Sequence, residues 1–285
     1  MKLFYWKNPF GVRNFGDDLN PWLWSRLLPG FFDEDPDSLF VGIGTILNDK
    51  IPETRRITVF SSGAGYSAVP AVGASWKFYC VRGPLTARLL GLPKDKAVLD
   101  GAVLVKNTGF GRLQKPEYQT SFMPHVFMAN ESGPVLKKIC DAEEIHFIDP
   151  RRDVPDVLLD IGNSGKLITE ALHGAILADA LRIPWVRVRS NDVINDFKWD
   201  DWAGSLDLEL KTKRLLPVWG LADRSGILKK ARRQIKIKLL AAQIRAFKRG
   251  DFYLSNGRVL AEKEKILNEC LSAFIRDCAH EKRMS

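Results

Sequence analysis

The chain has 285 residues, enough for one large domain or two modest ones, each able to bury a core. Hydrophobic residues make up 45% and charged residues 27%, an ordinary globular composition, and no stretch approaches the ~18–20 apolar residues needed to cross a bilayer. The net charge of +9 comes without a nucleic-acid recognition motif or an aromatic–basic platform, so nucleic acid is not an expected partner.

The opening residues, MKLFYWKNPFGVRNFGDD, hold neither an apolar run of signal-peptide length nor a cleavage pattern, which predicts a cytoplasmic protein. KLFYW (2–6) reads as the first buried strand and DDLNPWLWSRLL (17–28) as a helix. LFVGIG (39–44), ITVFSSG (57–63) and KFYCVRG (77–83) are further apolar, β-rich runs. GPLTARLLG (83–91) is a short helix with Pro84 near its start and Gly91 past its end. AVLDGAVLV (97–105) reads as a strand broken at Gly101, and the polar KNTGFGRLQKPEYQ (106–119) as a linker. The alternation then restarts: strand 120–128, helix 133–142, strand 145–150, helix 154–163, strand 166–170, a helix opening at Leu172, and strand 184–189. From Asn191 onward the pattern is wholly helical. Cys80, Cys140, Cys270 and Cys278 lack a metal-ligand spacing and read as reduced thiols.

Strands alternating with helices predict an α/β fold with parallel sheets covered on both faces. The restart after the linker predicts an N-terminal domain (1–110), a C-terminal domain (111–200) and a helical segment (201–285) packing across both. Two such domains face each other across a cleft at the carboxyl ends of their strands, where ligands bind.

Polar residues just past those strand ends are therefore the candidates. Arg13, Asn14, Asp17 and Asp18 follow the first strand, and Ser62 and Gly63 lie in a small-residue loop whose amides could approach an anion. Arg82 stands where a strand becomes a helix, Asp100 near a strand end, and His125 just after Pro124. His173 and Gly174 fall in the first turn of the helix opening at Leu172, where free N–H groups favour an anion. Residues 229–249 carry nine Lys or Arg and no acid, with Leu228, Ala231, Ile235, Leu239, Ala242 and Ala246 at helical spacing. That basic helix is either packed on the body with a solvated charged face or an anion-seeking surface, for an inner-membrane leaflet, a lipid diphosphate or, as the weaker option, nucleic acid.

The pieces NFGDDLNPWLW (14–24), VGIGTIL (41–47), SSGAGY (61–66), VRGPLTARLLG (81–91), LDGAVLV (99–105), MPHV (123–126) and TEALHGAILADALRIPWV (169–186), in this order, resemble the polysaccharide pyruvyl transferases, most closely the succinoglycan and xanthan branch. The resemblance implies two Rossmann-like domains similar to the GT-B glycosyltransferases, with C-terminal helices. It implies phosphoenolpyruvate as donor, no metal or other cofactor, and a cyclic pyruvate ketal formed on two hydroxyls of one sugar, commonly the 4- and 6-positions. By that likeness Arg82, Leu172, His173 and Gly174 fall on donor-binding positions. Where the family often has Ser-Arg-Leu-His-Gly this chain has Ala171 in place of the arginine, after Glu170; Arg187, Arg189 and Arg13 are candidate substitutes, Arg189 first.

Ketal formation needs an acid to protonate the donor's methylene carbon, cations or N–H groups on its anionic oxygens, and a base for the sugar hydroxyls. His173 and His125 are the candidates for acid and phosphate ligand, with Asp17, Asp18 and Asp100 as bases. Arg13, Asn14, Asp18 and the aromatic Trp199 are assigned to the acceptor. The expected acceptor is a lipid-linked oligosaccharide at the cytoplasmic membrane face. A GT-B glycosyltransferase using a nucleotide sugar and a non-catalytic anion- or nucleic-acid-binding module are the alternatives.

Overall fold

The structure, a computed structural model, describes residues 1–191, 195–217 and 227–284. Its first sheet is formed by β1 (Lys2–Phe4), β2 (Ser38–Val41), β3 (Arg56–Phe60) and β4 (Trp76–Cys80), all parallel and in chain order. β2 and β3 are buried almost end to end, as their unbroken apolar sequence requires of strands covered on both faces. Helix α1 (Phe15–Leu27) links β1 to β2 and is pinned to the end of β2 by Asn20. Its buried side-chain amide accepts from Ile43 N at 3.0 Å and donates to Ile43 O at 2.9 Å. Helix α2 (Pro84–Leu89) follows β4, with proline in its first turn.

The second sheet contains β5 (Ser121–Met123), β6 (His146–Phe147), β7 (Leu167–Thr169), β8 (Trp185–Arg189) and β9 (Lys213–Arg214), parallel and ordered β6-β5-β7-β8-β9. Helices α3 (Val126–Ala142, kinked at Ser132), α4 (Val154–Gly162) and α5 (Leu172–Ala180) make the crossovers. From β5 the chain winds first to one edge and then, from β7, to the other. That reversal opens a crevice at the carboxyl ends of β5 and β7, the place where doubly wound sheets bind ligands.

Three later helices tie the units together. Helix α6 (Asp196–Ser205) packs on α2 of the first unit, α7 (Ile227–Lys248) on α3, and α8 (Gly257–Met284) returns to β4. One buried apolar cluster runs continuously from α1 and the 101–105 segment to α4, α5, α6 and α8. The architecture is thus a mixed α/β fold of two Rossmann-like sheets facing a cleft, in the GT-B manner.

Four sequence expectations are corrected. AVLDGAVLV is not a strand: Gly101–Thr108 forms a 3-10 helix, capped where Asp100 accepts from Ala102 N, with Gly101–Val105 wholly buried. An uninterrupted apolar run fits a buried helix as well as a buried strand, and the cap decides it. The strand expected over 120–128 stops at Met123, because His125 Nδ1 accepts from Phe127 N and starts α3. The C-terminal part is not wholly helical, since Lys213–Arg214 adds the fifth strand and Tyr253 bridges Trp185. In α7 the apolar stripe Ala231, Ile235, Leu239, Ala242 and Ala246 faces solvent, while Leu240 and Ile244 anchor the helix; Leu228 lies outside the described side chains.

Candidate active site

His125 caps α3 just past β5, and His173 is the second residue of α5 just past β7, so the two histidines flank the strand-order reversal. Glu170 holds this geometry. Its buried carboxylate accepts from His125 N at 3.3 Å and from Ser190 N at 2.7 Å, joining the start of α3 to the end of β8. Burial raises the Glu170 pKa above the usual carboxylate range. Across the cleft, α1 presents Gly16 to the His173 ring; a Cβ there would lie 2.3 Å from Nδ1, so only glycine permits this approach. His173 Nε2 is buried and has no hydrogen-bond partner among the described residues.

Lys198 of α6 completes the cluster, and sequence reasoning missed it. Only 8% exposed, it donates from Nζ to the Tyr66 hydroxyl at 2.7 Å. Burial first, and then the Lys198 charge, pushes the His125 pKa down to about 3. His173 is pushed down to about 3 by burial, Lys198 and Arg82, in that order. Both imidazoles are therefore neutral at pH 7. Asp17, in the first turn of α1, is pushed up to about 6, chiefly by burial, against the pull of its hydrogen bond from Asn14 (2.6 Å) and of Lys198. The first turns of α1, α3 and α5 and one lysine of α6 thus converge at the β5/β7 crevice.

The first-sheet candidates serve mostly to build that wall. The Arg82 guanidinium is fully buried and its fork is engaged: Nε donates to Asp201 at 2.9 Å, Nη1 to Thr45 Oγ1 at 2.7 Å, and Nη2 to Ala64 O at 2.9 Å. Gly63 leaves room for it, since a Cβ would lie 2.2 Å from the guanidinium carbon. The amides expected to meet an anion are spent inside the protein, Gly63 N on Gly44 O and Ala64 N on Thr86 Oγ1, while Ser62 Oγ donates to Gly44 O. Their neighbour Ser61 went unnoticed in the sequence. It adopts a left-handed backbone (φ 64°) with a buried hydroxyl that has no partner among the described residues, facing Gly101 beside Asp100. Asp100 Oδ2 is likewise unpartnered, and burial pushes the Asp100 pKa up to about 6 against the pull of Arg82.

The remaining candidates are dispersed. Leu172 is core, and the Cα of Gly174 is packed close to Met123 Sδ and Thr169 Oγ1, where a Cβ would lie 2.8 and 3.0 Å away. Arg13 is exposed and pairs with Asp18 and Asp153, and Asn14 is held on Asp17. Trp199, expected on the acceptor, is fully buried against Trp185, Trp202 and Arg187, so it offers no face to a sugar. Arg189 bonds Asp196 and the Asn191 carbonyl, and Arg187 also pairs with Asp196. Among the described residues no group of three or more His, Cys, Asp or Glu is placed to hold a metal ion.

Residues 4–192 match the polysaccharide pyruvyl transferase family. The chain is also 41% identical over 218 residues, 75% of its length and 68% of the relative's, to the succinoglycan biosynthesis protein ExoV of Rhizobium meliloti (strain 1021). The matched span runs from the first strand through α1, the Ser61–Tyr66 loop, Arg82, His125 and His173 to the end of β8. The family match and this relative together show that the chain belongs to the polysaccharide pyruvyl transferase family.

Proposed function

We propose that the protein transfers the enolpyruvyl carbon of phosphoenolpyruvate to two hydroxyls, the 4- and 6-positions, of one sugar in an exopolysaccharide repeat unit. The observation that carries this reading is the pair of neutral histidines at the β5/β7 crevice beside Lys198 and a carboxyl poised near pH 6. Such a set can hold an anion and move protons in both directions near neutral pH.

In the reaction the donor's methylene carbon gains a proton and becomes a methyl group. Two sugar oxygens bond to the adjacent carbon, the carbon–oxygen bond to phosphate breaks, and the second hydroxyl proton leaves with phosphate. His173 and His125, neutral in the free protein, gain basicity when a dianion binds beside them, because an opposite charge favours the imidazolium. Donor binding therefore draws a proton onto the pair and makes one of them the acid. Asp17 and Asp100 are the bases toward the sugar. The chemistry calls on these side chains alone and needs no cofactor.

The acceptor is a lipid-linked oligosaccharide, met at the inner face of the cytoplasmic membrane. No helix among the described residues is long and apolar enough to cross a membrane. The exposed stripe of α7 suits peripheral contact instead: Ile235 and Leu239 are 60% and 53% exposed, with Arg232, Lys238 and Arg245 exposed around them. Apolar insertion plus about 1 kcal/mol per basic residue near an anionic surface gives reversible docking. Ile235→Ser with Leu239→Ser should release the protein from vesicles containing phosphatidylglycerol, and unchanged co-sedimentation would exclude this surface.

The central test is incubation with phosphoenolpyruvate and a panel of lipid-linked sugars, following phosphate release and a mass gain of the acceptor. Stabilisation by nucleoside diphosphates instead of phosphoenolpyruvate would overturn the reading.

A further inference from the structure

Three cationic side chains are buried among the described residues: Arg82, Arg187 and Lys198. Two have carboxylate partners, Asp201 for Arg82 and Asp196 for Arg187. Lys198 has no carboxylate within ion-pair distance among the described residues, although Asp17 is near enough to feel its charge; its hydrogen-bond acceptor is the neutral hydroxyl of Tyr66, and the Tyr66 ring centroid lies 5.2 Å from Nζ. Taking an ammonium out of water without an ion-pair contact costs several kcal/mol, and proteins tolerate it where the charge has work to do.

The surroundings say what that work is. The groups that feel the Lys198 charge are Asp17, His125 and His173, which begin α1, α3 and α5. α1 and α5 run unbroken for 13 and 9 residues, so each brings the positive end of its dipole, while α3 is interrupted at Ser132. The amides of Leu172, His173 and Gly174 find no backbone or side-chain acceptor among the described residues. His173 Nε2, buried and unpartnered, lies in the same place. A lysine ammonium has three donors, and Tyr66 takes one, which leaves two for an anion.

We propose that Lys198 is the anion anchor of the crevice, binding the phosphate group of the donor while Tyr66 fixes the position of the ammonium. The assignment rests on the donor reading above. It places the strongest positive charge on the leaving phosphate, where charge develops as the carbon–oxygen bond breaks. The position on α6 matters too. Asn195 and Phe197, on either side of Asp196, meet Gly65 in the Tyr66 loop, which ties the loop to the helix that carries the anchor.

The experiment compares wild type, Lys198→Met, Lys198→Arg and Tyr66→Phe, using inorganic phosphate and phosphoenolpyruvate as probes in thermal shift and calorimetry, with steady-state kinetics alongside. Lys198→Met should melt like wild type without ligand and lose its stabilisation by phosphate. Its KM for phosphoenolpyruvate should rise at least about tenfold, the effect of one lost charge-assisted hydrogen bond, with a smaller fall in kcat. Lys198→Arg, which keeps the charge, should recover part of the affinity. Phosphate and phosphoenolpyruvate binding unchanged in a folded Lys198→Met would overturn the role of Lys198 and leave the donor reading standing. A wild-type protein that binds neither probe overturns the donor reading and this assignment with it. If Lys198→Met does not fold, Tyr66→Phe decides: Tyr66 is 55% exposed and its hydroxyl bonds Lys198 alone among the described residues, and unchanged phosphate affinity in that variant overturns the proposal.

Discussion

Arg82 and Lys198 meet on the same helix and differ in every respect that bears on function. Asp201, one turn along α6 from Lys198, takes the Arg82 Nε and the Thr86 amide and hydroxyl. That ion pair is fully buried, with each polar atom of the carboxylate engaged, and it clamps α6 to α2 across the two units. Lys198 is almost as deeply buried, yet only a tyrosine hydroxyl answers it. A buried cation with a full partner set holds the fold, and a buried cation in no ion-pair contact is available to a ligand. In the sequence the two look alike, and Arg82, at a strand end, looks the better ligand.

The largest effect should come from the chemistry around Lys198. His173→Ala should lower turnover by about 10²–10⁴, the worth of a positioned acid or base, while the melting curve keeps its cooperativity. Phosphate release at the wild-type rate would remove His173 from the reaction and leave Lys198 without a catalytic neighbour.

Next in size is the clamp. Asp201→Ala strands the Arg82 guanidinium in the interior without its carboxylate, which should cost about 3–5 kcal/mol in urea unfolding. Lys198→Met is the contrasting case. It removes a desolvated charge that Asp17 answers only without direct contact, so the relief of desolvation and the loss of that attraction offset and stability should change by less than about 1 kcal/mol. A large loss in Lys198→Met would mean that the lysine, too, is part of the scaffold.

The sequence shows the fold where periodicity is clean. The parallel strands read as continuous apolar runs because both faces are covered, and the order of motifs placed His125 and His173 after strands that turn out to flank the crevice. It misled where one pattern serves two structures. The run Gly101–Val105 is buried as a 3-10 helix, and Trp199 is core although aromatic residues beside charges resemble a sugar platform. The stripe chosen in α7 faces outward because several apolar registers compete along a helix with few acids. Lys198 was invisible for a different reason. Its meaning lies in what it fails to pair with, and that requires the positions of Tyr66, Asp17 and both histidines, drawn from four distant segments. The one sequence signal was a lysine amid the aromatics of NDFKWDDW, which could have been flagged but not interpreted.

The smallest effect, and the most specific, is in the pH dependence of stability. His125 and His173 have ordinary values of 6.5 when unfolded and about 3 when folded. The folded protein binds fewer protons there, so the stability these groups contribute is present above pH 6.5 and is lost as pH falls toward 3. Asp17 and Asp100 shift the other way, from 3.8 to about 6. They cost stability above pH 6, and that cost is relieved as pH falls toward 3.8. Between pH 6 and 4 the two pairs oppose each other, each group contributing at most about 1.4 kcal/mol per pH unit. His173→Asn should therefore make the protein less sensitive to acid across this window, and Asp17→Asn more sensitive. Lys198→Met acts on both sets in one direction: without the ammonium the histidines take up protons more readily and Asp17 holds its proton more firmly. Urea unfolding at pH 6, 5 and 4 should show Lys198→Met following His173→Asn rather than Asp17→Asn. If Lys198→Met runs parallel to wild type throughout, its charge does not reach the imidazoles, and the contrast with Arg82 loses its electrostatic basis.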